Sequence, residues 1–465
     1  MKSAQIVANP AGARETSRAF PAFASGAPRL GFRHNNNMSV GREMLDRILA
    51  KVVEVRPGER RALLWSFAYF FLILAAYYVL RPLRDNAGIS GGTRALPWLF
   101  TATFFVMLAA APLYGWLVAR LPRRRLIPLV YHFFAANILV FWLLLTLGIG
   151  QQLAYQVFFV WLTVFSLFAV SVFWSYLADL WRSDQGKRLY GFIAAGGSLG
   201  ALVGPMLTRA LVEPLGPVNL FLVSALLLEA ALFCALRLGR ATEGFAGTAT
   251  PPAIGGSAFD GLIAVLRSPY LGGIATWVGL LSLGGTILYL LQAEVVSAAT
   301  QDAAERTRIF ATIDLWVGVL QILLQLALTG RLITRFGTGP AVAFVPLVFA
   351  FGFGVLAAMP ALMAVMVFQA AQRVGNFAVS NPAREILFTA ADREDKYKAK
   401  NVIDGVLFRG ADMASSWLFH LLYAVMGLTI PLLALVMVPV SLAWAALSIL
   451  LGRMQERRAA QIPNP

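Results

Sequence analysis

Apolar residues run through this chain in about twelve stretches, each near the ~20 residues that carry a helix across a bilayer core. Arg, Lys, Gly and Pro mark the breaks between them. The pattern predicts spans at 62–82, 95–118, 126–148, 153–178, 189–211 and 218–236, then at 270–291, 308–330, 340–358, 361–383, 402–425 and 428–451. Between the two sets, 241–257 is rich in Gly, Pro, Ala and Thr, a composition typical of flexible linkers. Residues 1 to about 40 show no apolar period and no signal-peptide h-region. Leu45, Ile48, Leu49, Val52 and Val53 then recur at helical spacing, which predicts a short helix on the membrane surface. The expected fold is all-α, a polytopic membrane protein with twelve transmembrane helices in two pseudo-symmetric six-helix bundles. In chain order it has a cytoplasmic tail with its surface helix (1–58), a first bundle (59–240), a cytoplasmic linker (241–268), a second bundle (269–452) and a tail (453–465).

Hydrophobic residues make up 58% of the chain and charged residues 13%, against about 25% charged in a soluble domain. The surplus apolar surface needs lipid to face. The formal charge of +16 does not imply nucleic acid, because the basic residues punctuate apolar helices instead of forming a soluble patch. They collect on one side, as at Arg60, Arg120, Arg124, Arg188, Lys400 and Arg458. The loops near Gln151, Met359 and Gly427 on the other side have none. Both termini are therefore expected in the cytoplasm, in a bacterial inner membrane. The single cysteine, Cys234, lies in an apolar run, so neither a disulfide framework nor a cysteine metal site is expected. No Walker loop, HExxH or dinucleotide fingerprint occurs. The expectation is a monomer that is not an enzyme and has no cofactor.

Ionisable residues inside the spans mark a polar route, since each costs ~2.5–3.5 kcal/mol at a helix centre. Tyr77, Arg81, Arg84 and Asp85 share a face at the outer end of the first span. Gln369, Arg373, Asn376, Ser380 and Arg384 share one on the tenth, and Gly405, Arg409, Asp412 and Ser416 one on the eleventh. Ser171, Ser175 and Asp179 run down the fourth, and Glu294 closes the outer end of the seventh. Any of these can instead be structural; Arg409 and Asp412, three residues apart, can simply neutralise each other. Arg373 and Arg409 both lie within spans, which favours function, whereas Arg94, Arg209 and Arg308 read as interface anchors. Gly196, Gly200 and Gly204, spaced by four, form a small-residue stripe suited to close helix packing. The same stretch fits the G-x-S-x-G of a hydrolase elbow, but that requires a strand–turn–helix, and this segment reads as an apolar helix.

The halves also echo each other. Gly115 with Arg120 matches Gly330 with Arg335, and Asp184 with Lys187 matches Asp395 with Lys398. Parallel repeats of six helices, with the substrate between them, are the plan of major facilitator transporters.

Several separated blocks from about Arg56 to Arg453 resemble the ATP/ADP translocases of plastids and intracellular bacteria, a family allied to the major facilitator fold. Arg81-Pro-Leu-Arg84-Asp85 is similar to that family's Arg-x-x-Lys-Asp. The run Trp174 to Asp179, followed by Lys187-Arg188-Leu189-Tyr190, is similar to its Trp-Gly-Phe-Ala-Asn-Glu and Lys-Arg-Phe-Tyr. Lys396, Lys398, Lys400, Ile403 and Asp404, then Arg409-Gly410, resemble its Lys-rich block. Asn376 and Asn381 stand where the family has Lys and Asp. The resemblance implies roles in nucleotide exchange for Arg84, Asp179, Glu294 and Arg409.

The resulting expectation is a secondary transporter, an antiporter for a nucleotide or another phosphorylated or carboxylated anion. Its partners would be membrane lipid and that small anionic solute. Substrate would be bound by Arg81, Arg84, Asp179, Glu294, Arg373, Asn376 and Arg409, with Asp85 and Asp412 gating or coupling. The alternatives are a proton-coupled symporter or drug exporter, in which Asp85, Glu294, Asp314 or Asp412 titrates, and a non-transporting scaffold or lipid-handling protein.

Overall fold

A computed structural model describes residues 55–56, 58–242, 258–327, 337–390, 399–400 and 402–459. The predicted tail, the surface helix at 44–53, most of the linker, and the loops with Arg331, Arg335 and Arg393 to Lys398 lie outside the described residues.

The described secondary structure is helical throughout. The first set comprises α1 (Glu59–Ser90), α2 (Leu96–Arg120), α3 (Arg123–Leu147), α4 (Gln151–Leu180), α5 (Ser183–Leu215) and α6 (Leu220–Ala241). After a short α7 (Ala258–Arg267) come α8 (Pro269–Ala299), α9 (Ala303–Ala327), α10 (Thr338–Ala358), α11 (Leu362–Phe388), α12 (402–425) and α13 (Ile430–Ala459). Among the described residues, 11 helices are long and apolar enough to cross a membrane. The more polar α12 is broken by wide π-turns at Val402–Leu407 and Leu421–Val425. The protein is thus an all-α polytopic membrane protein. Several boundaries differ from the hydropathy reading. Ala258–Arg267, expected to fall within the linker 241–268, is helical, and α13 continues into the predicted tail. Leu262, Ile263 and Leu266 of α7 are exposed, which suits a helix lying at the membrane interface.

We call the face holding Arg120 and Arg124 the basic face and the opposite one the far face. At the basic face, Gly58 (φ 93°) turns the chain into α1, and Glu59 anchors it. Its carboxylate accepts from Arg188 (3.1 Å) and Gln185 (2.8 Å), both on α5. The glycine stripe is what lets α5 lie along α1. A Cβ on Gly196 would come within 2.6 Å of the Phe67 carbonyl oxygen, and one on Gly204 within 2.6 Å of Tyr78 Cβ. Packing therefore accounts for these glycines, and Ser198 lies within helix α5, not on a strand–turn–helix elbow.

One apolar core joins α1 to α6, with Tyr69, Phe158, Phe165 and Phe173 fully buried. Its buried hydroxyls are satisfied in series: Tyr69 donates to Tyr131 (2.7 Å), which donates to the Ala169 carbonyl (3.1 Å). A second core joins α8 to α13 around Trp277, Phe349 and Trp444, and takes in Ile89, Leu96, Leu99 and Phe159 from the first set. Those four belong to α1, the start of α2 and α4, so the two sets share apolar packing toward the far face. The hydrogen bonds, ion pairs and ring contacts between the sets point the same way. Tyr289 bonds Asp85, Trp417 bonds Thr101, Trp98 meets Trp417 edge-on, and Arg308 pairs with Glu213. Among the described residues, basic-face ion pairs within one set include Arg188–Glu59 in the first and Arg384–Asp404 and Lys400–Glu385 in the second.

Candidate functional site

α1 runs to Ser90 and not to the predicted 82. Arg81, Arg84 and Asp85 therefore lie within the helix, not at its outer end as the hydropathy pattern placed them. Each charge is satisfied there by specific partners, which is what permits the helix to continue. Arg84 donates to the Phe159 carbonyl (3.3 Å) and to Asp85 (3.3 Å), with its guanidinium 3.9 Å from the Phe159 ring centre. Asp85 also accepts from Tyr289 of α8 (3.2 Å). Arg81 lies 3.6 Å from Asp314 of α9, over the Tyr78 ring.

Asp314 is 2% exposed and also pairs with Arg373 of α11 through the same oxygen, Oδ1. Arg373 is 8% exposed, yet its Nε and one terminal nitrogen have no partner among the described residues. The same holds for Asp314 Oδ2 and for the side-chain oxygens of Gln369, Gln372 and Asn376. Gln369, Gln372, Arg373 and Asn376 lie along one face of α11, which widens into a π-turn at Asn376–Ser380. Pro382 explains that turn. It has no N–H to give the Ala378 carbonyl, and its ring crowds that oxygen. Such π-bulges recur at functional sites.

On α12, Asp412 accepts from Ser282 (2.6 Å) and Thr286 (3.1 Å) of α8 and from Arg409 (3.2 Å). Asp412 is buried, while Arg409 keeps 36% of its side chain exposed. Arg409 is thus partly neutralised by its own helix and partly exposed.

The structure brings Arg81, Arg84, Asp85 and Arg373 into one cluster and sets Arg409 and Asp412 beside it across α8. It does not bring Asp179 or Glu294 there. Asp179 sits near the basic-face end of α4, one residue before that helix ends at Leu180. Glu294 lines a separate far-face cavity of about 310 Å³ with Arg94, His420 and Tyr423, and accepts from Tyr423 (3.4 Å). A larger cavity of about 1130 Å³ between α2, α3 and α4 is walled almost wholly by apolar side chains and lacks the charges of the cluster. Asp314, Tyr289, Ser282 and Thr286 join the site without being among the binding residues the sequence pattern marks. Asp314 offered a signal, an acid inside an apolar span; the three neutral residues offered none, being ordinary polar residues on a transmembrane helix.

Arg409 is tested by three variants. Arg409→Lys keeps charge without the planar fork and is expected to retain transport with altered selectivity, while Arg409→Gln loses it. If Arg409 only balances Asp412, then Arg409→Gln with Asp412→Asn transports normally, and Arg409 leaves the site.

Comparison with solved structures fixes the fold. An auto-inhibited POT family peptide transporter superposes with a TM-score of 0.58 at 14% identity, covering 87% of this chain and 98% of that one. The nucleoside transporter NupG gives 0.59 at 9% identity, over 85% and 99%. A bacterial homolog of the human lysosomal transporter Spinster, inward-facing and unoccupied, gives 0.53 at 14%, over 86% and 94%. No protein-family profile and no curated protein sequence matches the chain. The fold is the one these solved membrane transporters share. It does not single out the ATP/ADP translocases.

Proposed function

We propose that the protein moves an anionic solute across the membrane by alternating access, exchanging nucleotides or other phosphorylated or carboxylated anions. One observation supports this most. In the buried cluster, the guanidinium charges of Arg81, Arg84 and Arg373 outnumber the carboxylates of Asp85 and Asp314 by one, and Arg373 keeps donors with no protein partner. An unpaired buried cation is costly, and an anion would satisfy it. Arginine forks match carboxylate and phosphate oxygens in pairs. The likeness of the Arg84 and Arg409 blocks to ATP/ADP translocases supports the nucleotide end of this range. The test is counterflow in liposomes preloaded with nucleotides, sugar phosphates or dicarboxylates. Uptake of labelled anion only into liposomes holding a matching anion is expected; no anion flux sinks the proposal. The buried carboxylates Asp85, Asp314 and Asp412 favour a second reading, proton-coupled symport. Uptake driven by a pH gradient into anion-free liposomes would select it.

A further inference from the structure

Asp314 stands in an unusual position. Among the described residues it is the carboxylate shared by an arginine of the first set, Arg81, and one of the second, Arg373. Both meet a single oxygen, Oδ1, while Oδ2 has no partner. One carboxylate oxygen cannot fill two guanidinium forks, and Arg373 keeps two unpartnered nitrogens as a result. The subsite is therefore occupied but under-filled. Two features of its surroundings add to this. The Arg81–Asp314 pair crosses from α1 to α9, so it holds the two sets of helices together. Among the described residues, a second polar link from α1 to the second set, Tyr289 to Asp85, lies one turn further toward the far face.

We infer that Asp314 is a tethered stand-in for the solute's own anionic group. It fills the oxyanion subsite between Arg81 and Arg373, holds the far face shut while that subsite is empty of solute, and yields to a carboxylate or phosphate. This rests on the anionic-solute reading above and adds a specific subsite and a coupling residue. A phosphate has enough oxygens to engage both forks, so it binds Arg81 and Arg373 better than Asp314 does. When it does so, the bond from α1 to α9 is broken and the far-face contact loses its buried tie. Solute binding and far-face release are then one event, because both compete for the same guanidinium groups.

The test uses the full chain with Cys234→Ala and spin labels on Gln151→Cys and Gln301→Cys, both exposed and one in each set. With no solute, Asp314→Asn is expected to shift the label separation to longer distances, and Asp314→Glu to keep the parent distribution. Arg81→Gln cuts the same tie from the other side and should lengthen the separation too; it decides the matter if Asp314→Asn does not fold. Parent-like distances in the folded variants overturn the tether. Binding of inorganic phosphate, read by calorimetry, should tighten roughly tenfold in Asp314→Asn if Asp314 occupies the subsite about nine-tenths of the time. Unchanged or weaker phosphate binding overturns the displacement. The distance measurement needs no solute, so it judges the tether even if the parent protein fails to exchange anions.

Discussion

Arg373→Gln is expected to reduce anion flux by about a hundredfold or more, the scale set by losing one partner of a buried charged hydrogen bond, ~2–5 kcal/mol. The residue is 8% exposed, pairs with Asp314, and offers its remaining donors to the site. Removing its charge has a second consequence. Asp314 is left with Arg81 alone, and stranding a buried charge typically costs ~3–5 kcal/mol of stability. Lost transport could then reflect lost protein. Arg373→Gln combined with Asp314→Asn separates the two effects. The pair removes one charge of each sign, so the double variant should recover monodisperse, heat-resistant protein in detergent. It should not recover flux, because the guanidinium proposed to meet the solute is still gone. Transport at the parent level in the double variant would show that Arg373 does no more than neutralise Asp314.

Gly200→Ala should produce a large loss of folded protein from a single added methyl group. Gly200 sits on α5 against the backbone of α1. A Cβ there would collide with the Phe71 carbonyl oxygen and lie 2.9 Å from the Ala75 nitrogen. Backbone cannot rotate aside as a side chain can, so the two helices must separate. Separation would disturb the α1 register that places Arg81, Arg84 and Asp85. A cost at or above the upper end of the ~1–3 kcal/mol typical of overpacking is expected. Gly279→Ala on α8 is the control, since a Cβ there meets nothing within 4 Å. The yield of monodisperse protein and its melting temperature in detergent give the comparison. Equal behaviour of the two variants would remove the glycine stripe as the reason for the close α1–α5 crossing.

Much of this molecule is legible in order along the chain. Helix number and approximate placement follow from apolar run length, because lipid offers backbone groups no partner and only complete helices satisfy them. The small-residue stripe at Gly196, Gly200 and Gly204 likewise reads directly as a packing surface. Charges inside apolar runs are visible as exceptions, so Arg81, Arg84, Asp85, Arg373, Arg409 and Asp412 all stand out before any fold is known. The sequence by itself thus determined the class of protein and a short roster of charges that must be explained.

The local pair Arg409–Asp412 is legible from its spacing, but which charges meet across helices was decided by the tertiary structure. Arg81 pairs with a residue more than two hundred positions away, Asp314, because α1 and α9 lie side by side. Glu294 and Asp179 look like members of the same set in sequence, yet helix length carries one to a far-face cavity and the other to the basic-face end of α4. Hydropathy also ended α1 too early, since it counts each charge as a cost and cannot see the partner that offsets it. Pairing depends on distance in space, and distance between separate helices is set by how their surfaces pack, here by glycines against backbone and aromatic rings against each other. A one-dimensional pattern records the groups but not those distances.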